Sequence, residues 1–217
     1  NLIAENKMDE FKVLIQKSYD FILALAMPLT VGLIFTSPSV ILLLSGESFA
    51  PAILTSQIVA LNILMVGISG VMGLQVLYPM GRINIVILCT FIGAVVNVVL
   101  NVLLIPVYGH NGTAVAYMLA EVAVTVSMFI IGRRHIPIQF FKKEHLHYVL
   151  GSVCMGICLY WVLLLELDDF MTLITMLIVG LMMYISVILI LKDTMGMLFW
   201  KIIKSYLDKC QYKKKLG

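Results

Sequence analysis

The chain has 217 residues, of which 61% are hydrophobic and only 12% charged, with a formal net charge of +3 and a mean hydropathy of +1.04. A soluble domain carries roughly 25% charged residues, so a water-soluble globular fold is excluded. The modest positive balance is sorted along the chain, and it reads as membrane orientation and contact with anionic lipid, not as affinity for nucleic acid.

The chain opens at Asn1 with a polar stretch rather than the basic and apolar regions of a signal peptide. Residues 1–20 read as a cytoplasmic interfacial connection, a short helix with Phe11, Leu14, Ile15 and Ser18 on one face. Such a beginning is expected of a piece taken from within a longer protein. Six apolar runs follow, at 21–44, 53–77, 83–105, 113–131, 148–165 and 170–191. Each is close to the ~20 residues that cross ~30 Å of hydrocarbon as a helix. Lipid offers no partner to an open strand, so each is expected to be helical.

The charges between the runs alternate. Lys7, Lys12 and Lys17 precede the first run, Arg82 lies between the second and third, and Arg133, Arg134, Lys142 and Lys143 lie between the fourth and fifth. Lys192 and the remaining lysines follow the sixth, while the intervening loops carry Glu47, His110, Glu166, Asp168 and Asp169. All fifteen Lys and Arg therefore fall on one side of a six-pass topology, which is cytoplasmic, as are both ends. The expected fold is an all-α membrane protein. Residues 21–134 form a polar-lined four-helix core, 135–191 two peripheral lipid-facing helices, and 192–217 a basic amphipathic tail on the inner leaflet.

Polar residues inside the runs mark candidate function. Pro28, Gly32 and Pro38 in the first form a candidate hinge, with bending for packing as the simpler reading. The second contains Gln57, Asn62, Ser69 and Gln75 among Gly67, Gly70 and Gly73, where small residues favour close packing. In the third, Gly93, Asn97 and Asn101 stack at four-residue spacing. Two amides buried without partners would cost several kcal/mol, so they bond to other helices or line a cavity. In the fourth, Glu121 lies eight residues past Thr113, about 12 Å along the helix and near the midplane. An acid there costs about 2.5–3.5 kcal/mol on insertion scales. It is either a structural hydrogen-bonding acid or one facing a water-filled pathway, with Tyr117 and Thr125 one turn to either side.

Trp161, Tyr160 and Tyr184 are the notable residues of the last two runs. Cys154 and Cys158 read as small apolar residues, and His145 and His147 as solvated loop residues. No metal site or cofactor is expected. The sequence lacks GxxxxGK[ST], HExxH, GxSxG and GxGxxG, so no enzymatic activity is expected.

Residues 81–121 carry a combination of motifs: Gly81-Arg82, Asn97, Asn101, Leu104-Ile105-Pro106, Tyr108-Gly109, Gly112, and Ala114 with Ala116. Upstream stand Pro28, Gly32, Pro38 and Gly46-Glu47 followed by Phe49. Together these resemble the polysaccharide-transporter branch of the multidrug/oligosaccharidyl-lipid/polysaccharide exporter superfamily, over roughly residues 9–134. Thr113 departs from the small apolar residue usual there.

The resemblance implies six transmembrane helices forming most of one lobe of a two-lobed transporter, without the first lobe and the first helix of the second. It implies a bacterial inner-membrane flippase of O-antigen type. The substrate would be a polyprenyl-diphosphate-linked oligosaccharide, with a polysaccharide polymerase or glycosyltransferases as further partners. Glu121, Asn97, Asn101, Tyr117, Asn62 and Arg82 are then the candidate cavity or coupling residues. A cation-coupled multidrug antiporter of the same fold, with Glu121 as its coupling acid, is the alternative. A non-transporting scaffold is the other, and polar residues in three successive spans argue against it. The six helices alone are not expected to transport.

Overall fold

The structure, a computed structural model, describes residues 7–191, which are mostly helical with no strand among them. The tail helix expected at 192–217 lies outside the described residues.

Helix α1 runs unbroken from Met8 to Ser45 and includes both Pro28 and Pro38. The connection expected before residue 21 is the first part of this helix, with Phe11, Ile15 and Tyr19 buried in the core and Leu14 exposed. Asp9 and Glu10 sit favourably at its N-terminal, positive end. The helix stops at Gly46, whose φ of 80° suits glycine and whose N–H donates to Leu42 O.

Each proline lacks the N–H that would bond four residues back, so Ala24 O and Ile34 O lose their helical partners. Other helices supply both. Tyr184 Oη donates to Ala24 O at 2.5 Å, and Gln57 Nε2 donates to Ile34 O at 3.1 Å. The candidate hinge is thus pinned at both of its freed carbonyls.

After a 3₁₀ turn at Glu47–Phe49, the second apolar run is divided into α2 (Ala52–Ala60), α3 (Asn62–Gly70) and a π-helical segment (Val71–Leu77). The break at Leu61 is a single tight step, with its N–H donating to Ile58 O at 3.2 Å. The π segment buries Val71, Met72, Val76 and Leu77 at the centre of the core.

The third and fourth runs form one helical element, α4 (Ile83–Gly132). The expectation of six separate helices does not hold: among the described residues, five elements are long and apolar enough to cross a membrane. Straight, α4 would extend about 75 Å. It does not, because Gly109, at φ 55° and ψ −131°, breaks it into two arms. Gly93 lies against Val124 and Ala120, and a Cβ on Gly112 would come within 2.6 Å of Leu104 O. The arms are therefore antiparallel. Pro106, just past the expected end of the third run at 105, lies within the first arm, and the reversal falls at Gly109.

Helices α5 (Lys143–Leu163) and α6 (Asp169–Ile190) pack on each other and on α1. The buried face of α6 repeats every four residues, at Thr172, Met176, Gly180, Tyr184 and Ile188. α5 runs parallel to α1, so that Asp20 meets His145 and Gly32 meets Met155. Many remaining side chains, such as Leu177, Leu181 and Met182, are exposed and apolar, as expected of lipid-facing helices.

Candidate translocation surface

The sequence-identified polar residues gather on α2, α3 and the two arms of α4. Asn101 Nδ2 donates to Asn97 O at 2.9 Å and to Asn97 Oδ1 at 3.1 Å, so the two amides share one face of the first arm. Asn101 Oδ1 remains buried and unpartnered among the described residues. On the second arm, the Thr125 hydroxyl donates to Glu121 O at 2.8 Å and reaches Met65 O of α3 at 3.3 Å. Near the outer turn, Thr55 Oγ1 donates to Asn111 Oδ1 at 2.6 Å. These two contacts fix the register of α2–α3 along the second arm.

The register places two residues at the same level. Asn62 precedes Met65 by three residues and Glu121 precedes Thr125 by four, so both lie about one turn outward from the same contact. Asn62 is 4% exposed, and neither its Oδ1 nor its Nδ2 has a partner among the described residues. A buried unsatisfied polar group typically costs about 1–3 kcal/mol, and such a cost in a fold otherwise well bonded points to function. The Glu121 carboxylate has no hydrogen-bond or ion-pair partner among the described residues. Tyr117, one turn further out, is half-exposed.

On the opposite face of α3, Gly67 meets Ile22 and Ala26 of α1, and Ser37 Oγ and Ser56 Oγ approach to 3.2 Å. Between those contacts, the Thr30 hydroxyl is buried without a partner among the described residues. Arg82 does not join the group. It is exposed at the start of α4, about 22 Å along the helix from Asn97.

On the other flank of α1, Pro28 and Gly32 line an apolar groove of about 380 Å³ with Met155, Leu177, Leu181 and Ile185. Its two nearby hydroxyls are turned to backbone: Thr36 donates to Gly32 O at 2.8 Å, and Tyr184 to Ala24 O. The buried hydroxyls of Thr30 and Ser152, which lack partners among the described residues, lie outside its wall. It suits a hydrocarbon chain.

One cluster escaped the sequence reading. His145, expected to be solvated, is buried, with Nε2 at 2.9 Å from Asp20 Oδ1 and Nδ1 at 3.0 Å from Phe140 O. Gln16 Nε2 donates to Asp20 Oδ1 at 2.7 Å and Lys142 Nζ to Asp20 Oδ2 at 3.0 Å. Burial pushes the Asp20 carboxyl up, but hydrogen bonds from His145, Gln16 and Lys142, with the Lys142 charge, outweigh it and hold the group below the usual aspartate range. Burial, with the Asp20 charge beside it, pushes the Tyr19 hydroxyl up to about 12. The partners lie more than a hundred residues apart, so no local pattern announces them. Cys89, Cys154 and Cys158 are free, and no cluster of His, Cys, Asp and Glu able to hold a metal occurs among the described residues.

Long apolar helices, a kinked hairpin carrying a lone acid, and buried amides without partners define a multi-pass membrane protein of the transporter class. The model of the family "Lipid II flippase MurJ" matches residues 1–181, and the chain belongs to that family. This replaces the O-antigen branch inferred from the motifs. A solved structure of the lipid II flippase MurJ in an inward closed conformation shares the fold, with a TM-score of 0.73 at 17% identity over 91% of this chain. The chain spans 41% of that protein's length. No curated protein sequence matches it.

Proposed function

We propose that these residues form part of the membrane domain of a flippase that moves a lipid-linked cell-wall precursor across the bacterial inner membrane. The family match over residues 1–181 carries the reading. It favours a lipid-linked substrate over the drug of an antiporter, and transport over a scaffold.

The two flanks of α1 divide the work that such a substrate demands. A polar head needs donors and acceptors that are not already committed, and Asn62, Asn101 and Glu121 supply them on α3 and α4. A polyprenyl tail needs a dry channel beside lipid, and the groove between α1, α5 and α6 supplies it. The arms of α4 pass the membrane as two spans, restoring a six-pass path with Arg82, Arg133 and Arg134 on the cytoplasmic side. No chemical step is assigned to any residue. The work is binding, desolvation and conformational exchange.

The test is complementation in a bacterium depleted of its own lipid II flippase, using the whole protein that contains these residues. Growth should be restored. Normal membrane abundance without restored growth or precursor translocation would show the reading to be wrong.

A further inference from the structure

The segment between α4 and α5 is a fixed strap rather than a loose loop. Ile136 and Ile138 are buried, and Phe140 stacks edge-on against Phe129 and Tyr19. Gln139 and Gln16 form two reciprocal bonds, Gln139 N to Gln16 Oε1 at 2.8 Å and Gln16 Nε2 to Gln139 O at 3.3 Å. Lys142 is held by Asp20, and the Arg133 guanidinium lies 5.9 Å from the Phe129 ring centre. Residues 136, 138 and 140 thus point inward in extended alternation.

The alternation turns Phe141 outward, and the residue is 95% exposed, more than any other large apolar residue described. An unconstrained Phe would fold onto the apolar surface beside it, whereas this one is held away by a strap bonded on either side. Arg133 and Arg134 at the α4 end of the strap and Lys143 beside Phe141 are exposed, Glu144 is the acid next to them in sequence, and Asp20 is already taken by Lys142 and His145.

We infer that the strap is an interfacial anchor: Phe141 enters the headgroup layer of the adjoining leaflet, and Arg133, Arg134 and Lys143 bind the phosphates of anionic lipids there. An aromatic ring with cations at its rim matches that layer, where rings settle and basic side chains reach phosphate. The strap adjoins the inner ends of α1, α4 and α5, so its outer edge lies at the boundary of the apolar spans. The anchor would hold three helix ends at one depth while the rest of the protein moves.

Site-directed spin labelling of the whole protein in nanodiscs tests this, with Phe141→Cys labelled in a cysteine-free background. The label should be more accessible to oxygen, which partitions into lipid, than to a water-soluble nickel chelate. Greater access to the chelate would place position 141 in water, and protection from both would place it under another protein surface. Either result overturns the inference. In parallel, Arg133→Gln, Arg134→Gln and Lys143→Gln combined should lower the preference for phosphatidylglycerol over phosphatidylcholine by about a hundredfold. An unchanged preference would also overturn it. Neither readout involves transport, so both stand apart from the proposed function.

Discussion

Pro28 and Pro38 create the same defect ten residues apart on α1, and the two sides of the protein mend it differently. Toward α5 and α6, Ala24 O is capped by the buried Tyr184 hydroxyl, whose ring packs on Gly151 within an apolar wall. Toward α2, Ile34 O is capped by Gln57, a half-exposed amide in a row that includes Ser37 and Ser56. The apolar flank leaves no idle amide, and its groove wall holds no idle polar group, although the buried Ser152 hydroxyl of α5 has no partner among the described residues. The polar flank leaves Thr30, Asn62 and Asn101 with unsatisfied atoms. A membrane protein gains nothing in stability from uncommitted amides, so the difference separates a surface built for lipid from one built for a polar passenger.

The comparison breaks most severely at the glycines. Gly112→Ala sets a Cβ against the Leu104 backbone, which cannot yield as a side chain can, so the arms of α4 must separate. A loss of about 2–4 kcal/mol is expected, seen as a collapse of the monodisperse peak of the purified protein. Gly156→Ala on the apolar flank meets only the Val31 and Phe35 side chains and should cost below about 1 kcal/mol.

Next in size is the tyrosine cap. Tyr184→Phe should cost about 0.6–1.7 kcal/mol in thermal unfolding. The cost should shrink toward zero in a Pro28→Ala background, where a backbone N–H returns to Ala24 O. A fully additive double mutant would remove the cap from the account. Gln57→Leu should behave likewise against Pro38→Ala, but with a smaller effect, since its carbonyl lies nearer to water.

The smallest effect expected is the titration of Asp20. Its folded-state value is depressed, so its stabilising contribution is complete above the ordinary aspartate value of about 3.9 and is lost as pH falls through the folded value. The wild type should lose stability over that acid window, and Asp20→Asn should flatten the loss.

Much of this was legible in the sequence, because a bilayer imposes span length and charge sorting locally. The polar stack at Asn97 and Asn101 and the lone Glu121 follow from spacing alone, whereas Gly109 entered only as one residue of a family motif. The merging of two spans into α4 was hidden because one glycine reverses the chain without an intervening loop. Gly109 interrupts helical geometry at a single residue. The His145–Asp20 cluster and the Tyr184 cap join residues more than a hundred positions apart, so they depend on which helices become neighbours. Asn62 was recognisable as polar, but its idle amide became visible only once α3 was packed. The family was misassigned at the level of its branch, since the matched motifs describe the hairpin and packing that the branches share.

The claim that the α3–α4 surface carries the polar head is tested most directly by translocation of a fluorescent lipid II analogue in proteoliposomes. The whole protein would be compared with its Glu121→Gln and Asn62→Leu variants at equal incorporation. Each variant should lower the rate at least about tenfold, the equivalent of 1.4 kcal/mol, with thermal stability retained. Wild-type rates in both variants would contradict the account and leave these residues as packing.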